Sequence, residues 1–483
     1  MTKHSKILSK AIAAIAFAAI VLQGNVYSEN VSEKNKEQSQ GDGDDRAIFL
    51  SEIPAYAGNV ILGRPTNSSV TASVMMNSKS KIFIGYGSEG SFDRQTETIE
   101  LNVGEPRHII LDGLKANTAY SYRIMDAGAG KQILPASGNY SFHTARPPGS
   151  TFTFAVQADS HLDGYCLSEL YNTTLANELA SHPDFLIDLG DTFMTGKIPE
   201  RKDALKQYLA QRYYLGLIGN SVPVFLTLGN HDGEEASKKG ACEKDGLAVW
   251  SCETRKKYFP NPAPDNFYSG NMEKQPYAGQ LQNYYSWEWG NALFAVLDPY
   301  WYSRANKGGG SPWNMTLGKT QYDWLAGTLR NSQAKFKFVF IHQLVGGLDN
   351  AGRGGIEAVP FCEWGGHEKD GAVTFAKNRP GWEKPIHELF VDTGVSIVFH
   401  GHDHFFARQE KDGIVYQLVP QPANRNLKRH QAKEYGYEKG DFLPNSGFLR
   451  VNVSDEKVKV DYVRTDRSEA CPYSISSSIK PRP

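Results

Sequence analysis

Five clusters of metal-ligating residue types recur along this chain, and each follows directly on an apolar run. Phe152–Ala158 leads into Asp159-Ser160-His161, and Phe185–Leu189 into Gly190-Asp191. Val222–Leu228 leads into Gly229-Asn230-His231-Asp232, and Phe336–Ile341 into His342. Val395–Phe399 is followed by His400-Gly401-His402-Asp403-His404. Residues two apart in extended chain point the same way, so His402 and His404 can offer imidazoles to one place or to two adjacent ions. Each cluster alone has an ordinary reading: Asp-x-His as a turn, Gly-Asp as a loop, Asn-His as a helix cap. All five in order, each at a strand end, form the specific signal. The carboxyl ends of buried strands are where α/β folds place their sites. Imidazoles mixed with carboxylates suit Zn, Fe, Mn or Co better than Ca, which takes oxygen ligands.

The elements that must position these residues are legible in the apolar pattern. The five runs above, with Leu293–Leu297, read as largely buried strands. Leu167–His182, Asp203–Ile218, Thr320–Ser332 and Trp382–Thr393 carry helical spacing, and strand–helix alternation predicts an α/β domain over residues 150–466. Irregular insertions interrupt it at Gly233–Tyr284 and Gly346–Arg379. Gly447–Tyr462 reads as a closing hairpin with Asp455 in its turn, and 467–483 as a C-terminal tail. The aromatic group Tyr284, Tyr285, Trp287, Trp289, Tyr300, Trp301 and Tyr302 reads as core. Upstream, residues 51–146 are short strands separated by turn residues. There Tyr120 and Tyr122, just after the turn at Lys115–Thr118, resemble the tyrosine corner of fibronectin III-like β-sandwiches. Arg146-Pro147-Pro148-Gly149 reads as a linker.

Residues 1–28 read as an export signal: Lys3, Lys6 and Lys10 precede the apolar run Ala11–Leu22, with small residues near Val26–Ser28. That run is shorter than the roughly 20 residues needed to cross a bilayer, so no transmembrane segment is expected after signal removal. The expected location is periplasmic or secreted. Residues 29–50 read as a disordered linker. A formal net charge of −1 gives no basic patch for nucleic acid. Export permits disulfides, and Cys242 with Cys252, the nearest pair among five cysteines, is the first candidate bridge, beside the equal alternative that most are ordinary partly buried thiols.

The five clusters resemble the pattern of the calcineurin-like metallophosphoesterases from Phe152 to Phe406. With the preceding β-sandwich, the layout is similar to that of the purple acid phosphatases. The resemblance implies a four-layer α/β/β/α sandwich behind a purple acid phosphatase N-terminal-like β-domain, with two transition metal ions (Fe, Zn or Mn) at the strand ends. One ion would take Asp159, His161, Asp191 and His404. The other would take Asn230, His342 and His402 and share Asp191, an anionic bridge that suits two cations about 3.5–4 Å apart. Asn230 and His231 would bind substrate. His231 would also act on the leaving group, with Asp232 orienting it. Gly401 allows a sharp turn after His400, which is expected to face opposite to His402 and is left out of the ligand sets.

The implied activity is an exported phosphomonoesterase acting through a metal-bridging hydroxide on small phosphorylated substrates. A phosphodiesterase on cyclic nucleotides or phospholipid headgroups would use the same ligand positions. A non-catalytic binding protein on the same scaffold is the reading from another class. One departure matters: purple acid phosphatases carry Gly where this chain has His161, and a metal-binding Tyr where it has Met194. A colourless enzyme is therefore expected. Arg353, in the Gly-rich stretch after His342, is a candidate phosphate contact. The oligomeric state is left open.

Overall fold

Strand Phe152–Gln157 lies in the middle of one of two sheets that carry the five clusters. In the computed structural model, which describes residues 52–198, 200–304, 311–349, 352–428 and 430–476, that sheet has six strands. Their order is Val224–Leu226, Phe185–Asp188, Phe152–Gln157, Gly447–Val453, Lys457–Arg464, Glu469–Ser476. The first three are mutually parallel and the last three join antiparallel. A second sheet of eight strands contains the parallel run Ala292–Val296, Phe336–Phe340, Ile397–His400, Ile414–Leu418. Parallel strands need crossover connections, and these place the helices on the outer faces.

The inner faces of both sheets share one apolar core. Phe154 meets Phe294 edge-on at 5.2 Å between ring centroids, and meets Phe399 edge-on at 6.2 Å. Such pairs add about 0.5–1.5 kcal/mol each beyond area burial, so the sheets that carry the two halves of the site are firmly joined. Helices Ser168–Ala180 and Arg201–Gly219 cover the outside of the first sheet. Lys319–Asn331 and Ile386–Thr393 cover the second. The result is the expected α/β/β/α layering, preceded by an all-β region.

That region pairs Gly58–Gly63, Val70–Met76 and Arg107–Leu111 in one sheet and builds a second around Ser80–Ser88 and Ala119–Asp126. Side chains alternate across the first strand: Val60 and Leu62 enter the region's own core, whereas Ile61 joins the cluster around helix Arg201–Gly219. The Tyr120 hydroxyl accepts the Lys115 N–H at 2.9 Å, pinning the turn before its strand. The β-region does not separate as a compact unit of its own.

Four expectations need correction. All five cysteines are unpaired, and Cys242 and Cys252 instead approach the Ala236 and Leu281 carbonyls. The chain after Asp466 is not a tail at once, because Glu469–Ser476 pairs with Lys457–Arg464. The insertion Gly233–Tyr284 contains helix Leu247–Tyr258, whose buried face carries Ser251, Thr254 and Arg255 and so lacks a clean apolar stripe. The helix expected from Trp382 begins only at Ile386, since Pro385 holds Lys384 out of helical conformation. Among the described residues no helix is long and apolar enough to cross a membrane. The expected signal and linker, residues 1–50, lie outside the described residues.

Candidate metal centre

Each cluster occupies the loop leaving the carboxyl end of a strand, and two glycines let those loops touch. A Cβ at Gly229 would fall 2.1 Å from the Asp191 backbone nitrogen, and one at Gly190 would fall 2.4 Å from Gly229 N. Only bare backbone allows the Asp191 and Asn230 loops to meet at this separation. Asp159, His161, Asp191, His402 and His404 all have left-handed φ, between 51° and 76°. Such conformations are costly for residues with a side chain and concentrate at functional sites.

The seven expected ligand residues come together. Asp159, His161, Asp191 and His404 each offer one ligand atom, all within 4.8 Å of one another. Asp191, His342 and His402 form a second such group. Asn230 joins the second, its Oδ1 lying 3.2 Å from His342 Nε2 and 2.8 Å from His402 Nδ1. Asp191 Oδ2 stands between the groups, 3.5 Å from His161 Nε2 and 3.4 Å from His342 Nε2.

The surroundings leave the inward atoms without partners. Asp159 Oδ2 accepts the His402 N–H at 2.9 Å, and Asp191 Oδ1 accepts the His231 N–H at 2.8 Å. The opposite oxygens, Asp159 Oδ1 and Asp191 Oδ2, are buried with no hydrogen bond among the described residues, as is His161 Nε2. Orphaned buried polar atoms are costly. Two carboxylate oxygens and an imidazole nitrogen converging on one space fit transition-metal cations. The outer ring nitrogens are engaged too: His342 Nδ1 lies 2.8 Å from the Leu189 carbonyl, and His161 Nδ1 lies 3.1 Å from Asp163 Oδ2. Such partners fix ring orientation and turn the inner nitrogen's lone pair toward a metal.

Electrostatics point the same way. Burial opposes charge on Asp191, yet His342 and His231 hold it well below the ordinary carboxylate range. Burial likewise opposes a charged ring at His342, but the Asp191 and Asp159 carboxylates raise it to about 9. The pocket calls for positive charge, which ring protons supply and a cation displaces.

Asp232 does not orient the His231 ring. Its carboxylate is spent on the backbone N–H groups of Asp191, Thr192, Phe193 and Gly229, at 2.7–3.1 Å, and so locks two ligand loops together. His231 Nε2 lies 3.8 Å from Asp191 Oδ2 and 3.2 Å from Asn230 Nδ2, with about a quarter of the side chain exposed (27%). Arg353 is not among the converging residues. Its guanidinium lies 4.1 Å over the Tyr435 ring, with Nε 3.9 Å from Asp403 Oδ1. His400 is buried in its strand and in neither group, and Met194 is buried. Residues that the sequence reading did not single out include Asp163, Gln207, Gln211 and Gln421; the last donates to the Asp159 carbonyl at 3.0 Å. The Asp-x-His-x-Asp spacing was the one available signal for Asp163.

Two packed sheets whose parallel strands deliver aspartate and histidine to one buried point define an α/β protein with a centre fit for metal ions. The chain belongs to the calcineurin-like phosphoesterase family, whose family model matches residues 152–406, more than half of its length. These are metal-dependent phosphoric ester hydrolases. A solved structure of PhoD is 17% identical and aligns over 88% of this chain and 92% of its own, with TM-score 0.60. A purple acid phosphatase, PPD1 from yellow lupin (Lupinus luteus) seeds, is 14% identical over 87% of this chain and 74% of its own, with TM-score 0.56. At these identities the likeness is one of fold. Comparison with curated proteins finds no significant match.

Proposed function

We propose that the protein is an exported phosphomonoesterase dependent on two metal ions. The observation that carries this reading is the convergence of three orphaned buried atoms, Asp159 Oδ1, His161 Nε2 and Asp191 Oδ2, with the ligand atoms of His342, His402, His404 and Asn230. Asp159, His161, Asp191 and His404 would hold one ion. Asn230, His342 and His402 would hold the other, with Asp191 shared. When bound, such ions supply positive charge that polarises a phosphoryl group and acidifies water. Fe, Zn and Mn all suit the mixed donor set.

The chain's own groups then bind and orient the ester. The Asn230 carboxamide and the His231 ring flank the solvent-facing side of the site and would contact the phosphoryl oxygens. His231, kept neutral by burial, donates a hydrogen bond from its ring N–H to a phosphoryl oxygen or to the departing ester oxygen. Export rests on the N-terminal sequence pattern.

Rates on p-nitrophenyl phosphate and bis-p-nitrophenyl phosphate, before and after chelation and metal return, test the proposal. Metal-restored turnover favouring the monoester is expected. Preference for the diester replaces the monoesterase reading with a diesterase one. No turnover of either by metal-loaded protein leaves a non-catalytic binding protein.

A further inference from the structure

One helix outside the ligand loops reaches both of them. Gln207 and Gln211 lie four residues apart on Arg201–Gly219, on one face, and both are fully buried. Gln207 Nε2 donates to the His161 carbonyl at 2.6 Å. Gln211 Nε2 donates twice, to the Thr192 carbonyl at 2.8 Å and to Ser160 Oγ at 2.9 Å. Thr192 follows Asp191, and Ser160 lies between Asp159 and His161. A single amide nitrogen therefore ties the loop carrying Asp159 and His161 to the loop carrying Asp191, from the side away from the ligand atoms.

The other end of each amide is informative. Gln207 Oε1 and Gln211 Oε1 are buried with no hydrogen-bond partner among the described residues. A buried amide satisfied only through its nitrogen gains little net stability, because the orphaned oxygen offsets what the N–H bonds contribute. An apolar residue of similar length would remove that orphaned oxygen while stranding the His161 or Thr192 carbonyl, two effects that largely offset. What it would not do is hold two left-handed ligand loops in register, and these conformations persist only where surroundings over-determine them.

We propose that Gln211, seconded by Gln207, is a positioning residue for the metal centre, setting the spacing between the Asp159–His161 and Asp191 loops. This rests on the metal-dependent reading above. Partners that orient ligands cost on the order of 10–100-fold in metal affinity when removed. The test is titration of metal-free protein with Zn(II) in metal buffers, for wild type, Gln211→Met and Gln207→Met, beside urea unfolding in chelator.

For Gln211→Met, Zn(II) affinity is expected to fall about 10–100-fold, with the unfolding midpoint in chelator near wild type. Gln207→Met, which loses one bond to one loop, is expected to fall less. Near-wild-type affinity in Gln211→Met overturns the inference while leaving the metalloenzyme reading intact. An affinity loss matched by a comparable loss of stability in chelator marks a role in folding alone and also overturns it. Wild-type protein that binds no Zn(II) sinks the metal reading itself.

Discussion

The backbone N–H of His402 donates to Asp159 Oδ2 at 2.9 Å, joining the fifth cluster to the first across the gap between the two sheets. Gly401, just before it, makes the approach possible. A Cβ there would stand 2.7 Å from that same oxygen and 3.0 Å from Ala158 Cβ. Gly401→Ala therefore displaces Asp159 without touching any ligand atom. A loss on the order of 10²-fold in kcat/KM is expected for such misplacement, with lower metal content by elemental analysis. Wild-type kinetics and metal content would show that the two loops yield freely.

Asn230 and His231 are neighbours with separable tasks. Asn230→Ala removes an oxygen that lies 2.8 Å from His402 Nδ1, so metal content at one position falls along with activity. His231→Ala leaves both ligand groups in place. A kcat loss of about 10²–10³-fold with nearly unchanged metal content is expected, the range ascribed to one positioned hydrogen-bond donor. Equal metal loss in both variants contradicts this division.

The buried pair of Glu234 and Arg255 anchors the segment that follows Asp232. Arg255 Nε and Nη2 meet the two Glu234 oxygens at 2.6 and 2.9 Å, and Nη2 also donates to the Leu281 carbonyl at 2.8 Å. Removing one partner strands the other charge away from water. Glu234→Gln or Arg255→Met should each cost about 3–5 kcal/mol in urea unfolding, and the double substitution less than their sum.

Glu178 gives a pH signature away from the metal centre. It is fully buried on helix Ser168–Ala180, and neither carboxyl oxygen has a hydrogen-bond partner among the described residues. Burial, helped by the nearby Asp188 carboxylate, raises it well above the ordinary 4.5. A carboxyl whose folded value exceeds its unfolded value binds its proton more tightly in the native state. Its favourable contribution is thus present below the unfolded value and lost as pH rises through the folded one. Glu178→Gln should flatten that slope. Relative to wild type, the variant gains stability between pH 5 and pH 8, which urea unfolding at several pH values would read. A parallel pH dependence of the two proteins would contradict it.

Much of the site was legible because strand–loop punctuation is local. An apolar run ending in Asp159-Ser160-His161 or Gly229-Asn230-His231 announces both a buried strand and the side chains at its end. The helices at Arg201–Gly219 and Lys319–Asn331 were legible to within two residues for the same reason. What the sequence concealed was set by partners distant along the chain. Gln207 and Gln211 carry no mark of their own in a helical run, and only packing against the ligand loops makes their face interior. Arg255 broke an apolar stripe because its counter-charge, Glu234, sits on another segment. Asp232 next to His231 suggested a side-chain pair, whereas four backbone N–H groups from two loops compete for its oxygens and win.

Arg212, the residue after Gln211, turns outward from the ligand loops and donates from Nη2 to the Ser73 carbonyl at 2.8 Å and from Nη1 to Ser73 Oγ at 3.1 Å. It is fully buried and has no carboxylate partner among the described residues; burial lowers it to about 10. Excising the β-region would strip this guanidinium of both Ser73 acceptors, wet it, and uncover the apolar surface that Ile61 and Met75 now occupy. The same helix would then bear a solvated cation on one flank and the glutamines on the other. A shortened enzyme starting near Gly149 is thus a poor prospect, because the amino-terminal sheets serve as the back wall of the helix that steadies the metal loops.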